Sequence, residues 1–404
     1  MCPAGYVDCL RRENNKGRPV RIAYITETYP PELNGVALTV ERSVEHLRRR
    51  GHQVELIRPR QAGERAHDDD GEWLTAGCPI PMYPDLRFGL ARSRALVERF
   101  KRTTPRLVHV ATQGPLGWAA VHAAQALQLP LTSDFRTNFH QYSRYYGLGW
   151  MCPLVHGYLR RFHNQTHRTF VPTQALKREL ELAHFERLAV VGRGVDTQMF
   201  SPAKRSEALH RRWQAGGRAP VLLYVGRLAA EKNVGLALCA FEAIRRRMPS
   251  AQMVVVGDGP QRAKLQADFP DAQFVGVQRG EALAAHYASA DLFLFPSMSE
   301  TFGNVTLEAL ASGLPVVAFD MAAAAEYVDD CGSGLLVRPG DELGFIAAAC
   351  SIAWQHEQLA AMRSGARQSA LKARWDTVLG RFELCLAETL YGVQTASAGA
   401  AVAV

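Results

Sequence analysis

The chain has 404 residues, 47% of them apolar and 21% charged, a composition of folded soluble proteins that excludes disordered and fibrous classes. This length exceeds what one hydrophobic core spans, so two domains are expected, and no apolar run reaches the roughly eighteen residues a membrane-spanning helix needs. A net charge of +8 favours anionic partners such as nucleotide phosphates or an acidic lipid surface, while the arginines fit no nucleic-acid-binding module.

Residues 1–20 form a leader with Arg11, Arg12, Lys16 and Arg18 but no apolar stretch behind them, which argues against a secretory signal and for a cytoplasmic protein. The first strand is Arg21–Thr26. It runs into Thr28-Tyr29-Pro30-Pro31-Glu32-Leu33-Asn34-Gly35-Val36, where Gly35 opens a helix that closes on Arg48-Arg49-Arg50-Gly51. Gly35 lets a phosphate or an acceptor approach the helix start. Further strands are Gln53–Arg58, Leu107–Ala111, Leu129–Phe135, Thr169–Pro172 and Leu188–Val191. Asp68-Asp69-Asp70 resembles a metal-binding run, yet its neighbours suggest an exposed loop, and no histidine spacing marks a metal site, so no metal is expected. The segment Leu154–Arg168 sets Tyr158 and Phe162 among Arg160, Arg161, His163 and His167, a pattern that suits either a packed helix or an anionic membrane surface.

Gly192-Arg193-Gly194-Val195-Asp196 and Phe200-Ser201-Pro202 interrupt both helical and strand periods and read as a linker. A second strand series follows: Val221–Val225, Gln252–Val256, Gln273–Val275, Asp291–Phe295, Pro315–Phe319 and Gly334–Val337. Runs such as Val254-Val255-Val256 and Leu292-Phe293-Leu294-Phe295 are continuously apolar, which implies parallel sheets covered on both faces. The expected fold class is therefore α/β, with two Rossmann-like doubly wound domains facing a cleft. The boundaries are 21–200 for the first domain, 201–374 for the second, 375–392 for a C-terminal helix crossing back to the first, and 393–404 for a flexible tail of small residues. The eight cysteines form no C-x-x-C pair and read as core thiols of a reducing compartment.

Two stations in the second half carry chemistry. In Val225-Gly226-Arg227-Leu228, followed by Glu231-Lys232-Asn233, a strand and a glycine turn lead to two cations, Arg227 and Lys232, suited to a leaving diphosphate. In Ser299-Glu300-Thr301-Phe302-Gly303-Asn304-Val305-Thr306-Leu307-Glu308, a strand and short loop lead to a helix start whose free amides suit a diphosphate, with carboxylates Glu300 and Glu308 on either side. Gly257 and Asp258 follow a strand between these stations. Arg262 stands where a dinucleotide fingerprint needs its last glycine, which weakens the case for a dinucleotide cofactor.

The two stations, with the Gly313-Leu314-Pro315 neighbour, resemble the fingerprint of retaining glycosyltransferases of the GT-B fold, family 4, and the Pro-Pro-x-x-Asn-Gly-Val word resembles that family's first loop. The resemblance implies that Glu300 holds sugar hydroxyls of a nucleotide-sugar donor and Glu308 the ribose. Arg227 and Lys232 would grip the diphosphate, and the backbone of Phe302, Gly303, Asn304 and Val305 would face sugar and phosphate. Gly257 and Gly276 would lie by the nucleotide. No cofactor is implied, since the nucleotide-sugar, with a UDP or GDP leaving group, is itself the substrate. Relatives carry a histidine after the strand that ends at Phe135; in direct register Arg136 holds that place and His140 comes four residues later, so both are candidates beside the reacting sugar. The opening loop and the linker words look nearest to lipid-directed members such as phosphatidylinositol mannosyltransferases and sulfoquinovosyl-diacylglycerol synthases. The resemblance thus implies a metal-independent hexosyltransferase with a membrane lipid as favoured acceptor, peripheral on the inner face of the cell membrane. An oligosaccharide or polysaccharide acceptor, or a non-catalytic nucleotide-sugar-binding homologue, are the alternatives.

Overall fold

The computed structural model describes residues 19–402 apart from 33–34, 62, 66, 70, 81–82, 137–151 and 215–218. Two sheets carry the chain. The first holds strands β1 (Arg21–Ile25), β2 (Gln53–Pro59), β3 (Glu72–Ile80), β4 (Tyr83–Leu90), β5 (Leu107–Val110), β6 (Leu131–Asp134), β7 (Arg168–Val171) and β8 (Leu188–Val190) in the order β4-β3-β2-β1-β5-β6-β7-β8. The second holds β9 (Val221–Val225), β10 (Gln252–Val256), β11 (Gln273–Gly276), β12 (Leu292–Phe295), β13 (Val316–Phe319) and β14 (Gly334–Val337) in the order β11-β10-β9-β12-β13-β14. Every pairing is parallel except β3 with β4.

The continuous apolar strands explain the layering. All five residues of β9 and all four of β12 are buried, and each fully buried Leu, Val or Phe contributes about 1.5–3 kcal/mol. A strand buried on both faces needs helices above and below, and the right-handed crossover supplies them. The second sheet's order is that of a dinucleotide-type fold, with its topological switch point between β9 and β12. In the first sheet the equivalent reversal lies between β1 and β5. Ligand crevices form where the connections leave opposite faces, so these two points locate the loops of interest.

Three features differ from the sequence-based expectation. The hairpin β3–β4 was not foreseen: its residues are interrupted by Gly77, Pro79 and Gly89, which break the apolar run. Asp68 and Asp69 lie exposed, as expected, but they are tied down. Asp68 accepts from Arg99, and Asp69 Oδ1 accepts from the Gly71 and Glu72 amides at 2.7 Å each, so the pair shapes the entry to β3. The C-terminal helix, Trp375–Val402, continues where a flexible tail was expected, because its last residues are rich in alanine, the strongest helix former. Among the described cysteines, Cys350 and Cys385 are buried but Cys78, Cys239 and Cys331 are exposed. Residues 1–18 of the expected leader lie outside the described residues.

The chain crosses between the sheets twice, side by side. Val195 bridges Arg374 and donates its amide to the Ala373 carbonyl at 2.9 Å. A Cβ at Gly194 would stand 2.5 Å from the Trp375 ring, so only glycine fits there. After the second crossing, the Trp375–Val402 helix places Phe382, Cys385, Leu386 and Leu390 in the core around β1, β2 and β5. Glu383 fastens it: although burial works the other way, hydrogen bonds with His46 at 3.0 Å and His52 at 3.2 Å, with Arg50 alongside, hold its carboxyl well below the usual range. No helix among the described residues is long and apolar enough to cross a membrane.

Candidate functional site

The loops after β9 and β12 meet at the second sheet's switch point. A short 3-10 turn, Ala230–Lys232, follows β9 and ends on Asn233 at φ 49°. It is anchored by the Met298 amide, which donates to the Glu231 carbonyl at 3.1 Å. Lys232 Nζ consequently reaches Glu300 Oε1 at 2.5 Å and donates to the Ser299 carbonyl at 3.2 Å. Ser297 Oγ donates to the same carboxylate oxygen at 2.9 Å. Arg227 is exposed on the same connection, its carbonyl accepting from the Tyr224 hydroxyl at 3.2 Å.

Gly303 then turns the chain at φ 91° and caps the helix Asn304–Ala311. Glycine is needed for that left-handed conformation, and it leaves the first amides of the helix uncovered by any side chain of their own cap. Glu308 projects from the second turn, half-buried, and its Oε2 accepts from the Tyr287 hydroxyl at 3.0 Å. Burial pushes the Glu308 carboxyl up to about 7, a rise that the Tyr287 hydrogen bond partly offsets. Phe302 is buried, with its ring beneath the Arg193 guanidinium at 5.8 Å, and Val305 packs on the second core.

The remaining glycines belong to the rim. A Cβ on Gly257, at φ 137°, would stand 1.9 Å from the Gly226 carbonyl oxygen, and the Gly257 amide donates to the Gly276 carbonyl at 2.9 Å. Gly226, Gly257 and Gly276 thus end three adjacent strands, and for Gly257 close backbone packing accounts for the residue. Asp258 turns away to Arg262, at 3.0 Å.

The first domain presents its own helix start, Gly35–Arg49. A Cβ at Gly35 would stand 3.2 Å from Asn304 Nδ2 and 3.4 Å from Arg193 Nη1. The positive ends of two helices, one from each domain, therefore face each other across a few ångströms, with a guanidinium at their junction. Arg193 Nη2 also donates to the Arg136 carbonyl at 3.2 Å. This constellation is suited to a polyanion: helix N-termini and cations both favour negative charge, and the carboxylates accept hydrogen bonds from hydroxyls.

Arg136 departs from the expectation. Its guanidinium turns inward to Asp134, with Nε at 2.7 Å, and its side chain is 11% exposed. Burial opposes the charge on Asp134, but Arg136 and His109, whose Nε2 lies 3.1 Å away, hold that carboxyl below its usual range. The physical reason is that Asp134 ends a fully buried strand and requires a counter-charge, which the residue two positions on supplies. The Arg136 backbone, not its guanidinium, faces Arg193. His140 lies outside the described residues. Residues not singled out from sequence are Tyr287, Ser297, Arg193 and Glu27. Tyr287 and Ser297 lie in apolar, strand-adjacent words; Arg193 was read as linker. Glu27 sits at the first sheet's switch point, where its Oε1 accepts from the Leu116 amide at 2.9 Å, and burial raises its carboxyl to about 7.

Known proteins resemble this chain along most of its length. Residues 33–199 match the family model described as Glycosyltransferase Family 4, and residues 219–354 the one described as Glycosyl transferases group 1. The chain is 35% identical to a GDP-mannose-dependent alpha-mannosyltransferase of Mycolicibacterium smegmatis, over 91% of this chain and 98% of that protein. It is 28% identical to an alpha-monoglucosyldiacylglycerol synthase of Streptococcus pneumoniae, over 74% of this chain and 71% of that protein. Its fold is similar to that of sucrose-phosphate synthase from Thermosynechococcus elongatus, with a TM-score of 0.73 over 92% of this chain and 100% of that one, at 17% identity. With two Rossmann-like sheets and this similarity along nearly the whole chain, the chain belongs to the family 4, group 1 glycosyltransferases of the GT-B fold.

Proposed function

We propose that this glycosyltransferase moves mannose from GDP-mannose to the hydroxyl of a membrane lipid, with retention of anomeric configuration and without a metal ion. The observation that carries the donor site is the Lys232–Glu300 pair at the β9/β12 switch point, beside the helix start that also carries Glu308. In this reading Glu300 accepts hydrogen bonds from sugar hydroxyls and Glu308 from the ribose. Arg227, Lys232 and the amides of Gly303 and Asn304 take the diphosphate charge, which is the role a metal has elsewhere. The Gly35 helix start approaches the same phosphates from the first domain. Gly276, where an added Cβ would meet nothing closer than 3.7 Å, leaves room for the base.

Glu27, at the first sheet's switch point, accepts from the Leu116 amide. In this reading the acceptor oxygen attacks from the face that the leaving diphosphate vacates, and the diphosphate takes the acceptor proton. The donor assignment draws on the relative that shares 35% identity along nearly its whole length. The lipid acceptor draws on the diacylglycerol-directed relative and on the helix Cys152–His163, where Leu154 (68% exposed), Tyr158, Arg160 and Arg161 all face solvent. Such a side suits the headgroup region of an anionic bilayer.

The test is a thermal-shift panel with GDP, UDP, GDP-mannose and UDP-glucose, followed by transfer of labelled mannose to lipid in vesicles containing phosphatidylglycerol. Stabilisation by GDP and GDP-mannose, with lipid-bound label that disappears in Glu300→Ala, is expected. Stabilisation by UDP alone overturns the donor assignment, and label found only on soluble glycans overturns the acceptor.

A further inference from the structure

Tyr287 is fully buried and sits on the helix Gly280–Ser289, outside both sequence words that define the donor site. Its ring is wedged between Phe200, at 5.7 Å edge-on, and Phe293, at 5.7 Å. A phenylalanine would fill this aromatic niche without the cost of burying a hydroxyl. The hydroxyl is nonetheless present, and its hydrogen bond goes to Glu308 Oε2 at 3.0 Å. Among the described residues no donor takes the other oxygen, Oε1. A carboxylate with one oxygen fixed and the second open is arranged to accept from a ligand diol in one orientation.

The buttress is itself fixed. Arg367 donates to the carbonyls of Phe200 and Thr197 at 2.8 Å each, and also to the carbonyl of Ala311, the last residue of the helix that carries Glu308. One guanidinium therefore ties the interdomain connection, including the Phe200 that packs on Tyr287, to the helix that carries Glu308.

We infer that Tyr287 is a positioning residue for the ribose subsite, orienting the Glu308 carboxylate so that it distinguishes a ribose from a 2′-deoxyribose. The inference rests on the donor reading above. Tyr287 touches no substrate; it acts through Glu308.

The experiment measures binding of GDP and 2′-deoxy-GDP to the full chain by calorimetry. Wild type is expected to favour GDP about tenfold, the value of one hydrogen bond to a charged acceptor. Glu308→Ala is expected to bring that ratio near one, and Tyr287→Phe to about threefold or less while the melting point stays close to wild type. A purely packing role for Tyr287 would leave the ratio unchanged. Should Tyr287→Phe fail to fold, Phe200→Leu loosens the ring without touching the hydroxyl and is expected to shrink the ratio as well. A wild-type ratio retained in the folded variant overturns the role of Tyr287 alone. Wild-type protein that binds neither nucleotide overturns the GDP donor reading on which the inference rests, and wild type that binds both equally overturns the ribose site and the role of Tyr287 together.

Discussion

Lys232 and Glu300 lie on loops 68 residues apart in sequence yet form an ion pair of 2.5 Å, with side chains only 14% and 13% exposed. Each residue holds the other in place; in the proposed reading that arrangement awaits a ligand with both a diphosphate and a sugar. Lys232→Ala and Glu300→Ala are each expected to lower kcat/KM by about 10²–10³, the cost of one preorganised electrostatic contact. Because each variant strands its partner, the double variant is expected to lose much less than the product of the two. Steady-state kinetics of the four proteins in a double-mutant cycle checks this; strictly multiplicative losses contradict the pairing.

Glu308 gives a pH dependence whose two signs differ. Its folded value of about 7 lies above the ordinary 4.5, so between those values the folded state holds a proton that the unfolded chain lacks. Its contribution to stability is therefore present at low pH and is lost as pH rises through 7. A carboxylate that accepts from ribose hydroxyls works in the opposite sense, and donor affinity is expected to fall as pH drops below about 7. Glu308→Gln removes both trends. Melting curves and GDP titrations from pH 5 to 8, read as differences between the two proteins, test the pair of signs.

Asp134 and Arg136 test how the buried charge is balanced. Asp134→Ala leaves the Arg136 guanidinium without its main counter-charge and is expected to cost about 3–5 kcal/mol, whereas replacing both residues by apolar ones of similar volume is expected to cost far less. Urea denaturation measures both. A mild effect of Asp134→Ala would return Arg136 to the list of groups free to face the sugar.

At Gly257 an added methyl meets the Gly226 carbonyl at 1.9 Å, and Gly257→Ala is expected to destabilise the fold by about 1–3 kcal/mol. Gly235 lies in the helix Val234–Arg245 with nothing within 4 Å of its would-be Cβ, and Gly235→Ala is expected to stabilise by about 0.4–1 kcal/mol. Melting temperatures of the two variants, moving in opposite directions, check the strand-end packing.

Much of the fold was legible because buried parallel strands leave an unambiguous trace. Val221–Val225 and Leu292–Phe295 admit no exposed face, and their alternation with helices fixes the layer architecture. The candidate site was legible where its pattern is local: a glycine at a helix start, a cation after a strand, two carboxylates eight positions apart. The hairpin β3–β4 left no such trace, since its glycines and proline interrupt the pattern. Tyr287 and Arg193 were illegible for another reason. Nothing next to them in sequence distinguishes a tyrosine that orients a carboxylate from one that fills a core, or a linker arginine from one that joins two domains.

The sequence by itself determined the α/β class, the two domains, the post-strand loops that carry Arg227, Lys232 and Glu300, the helix that carries Glu308, and the family they resemble. Only the tertiary structure decided that Lys232 is engaged by Glu300, that Glu308 accepts from the Tyr287 hydroxyl, that the Arg136 side chain points to Asp134, and that Gly35 lies beside Asn304 and Arg193. The division has one physical cause. Periodicity and turn chemistry act over a few residues, whereas side-chain pairing is set by which loops a sheet's strand order brings together, and that order is a property of the whole chain.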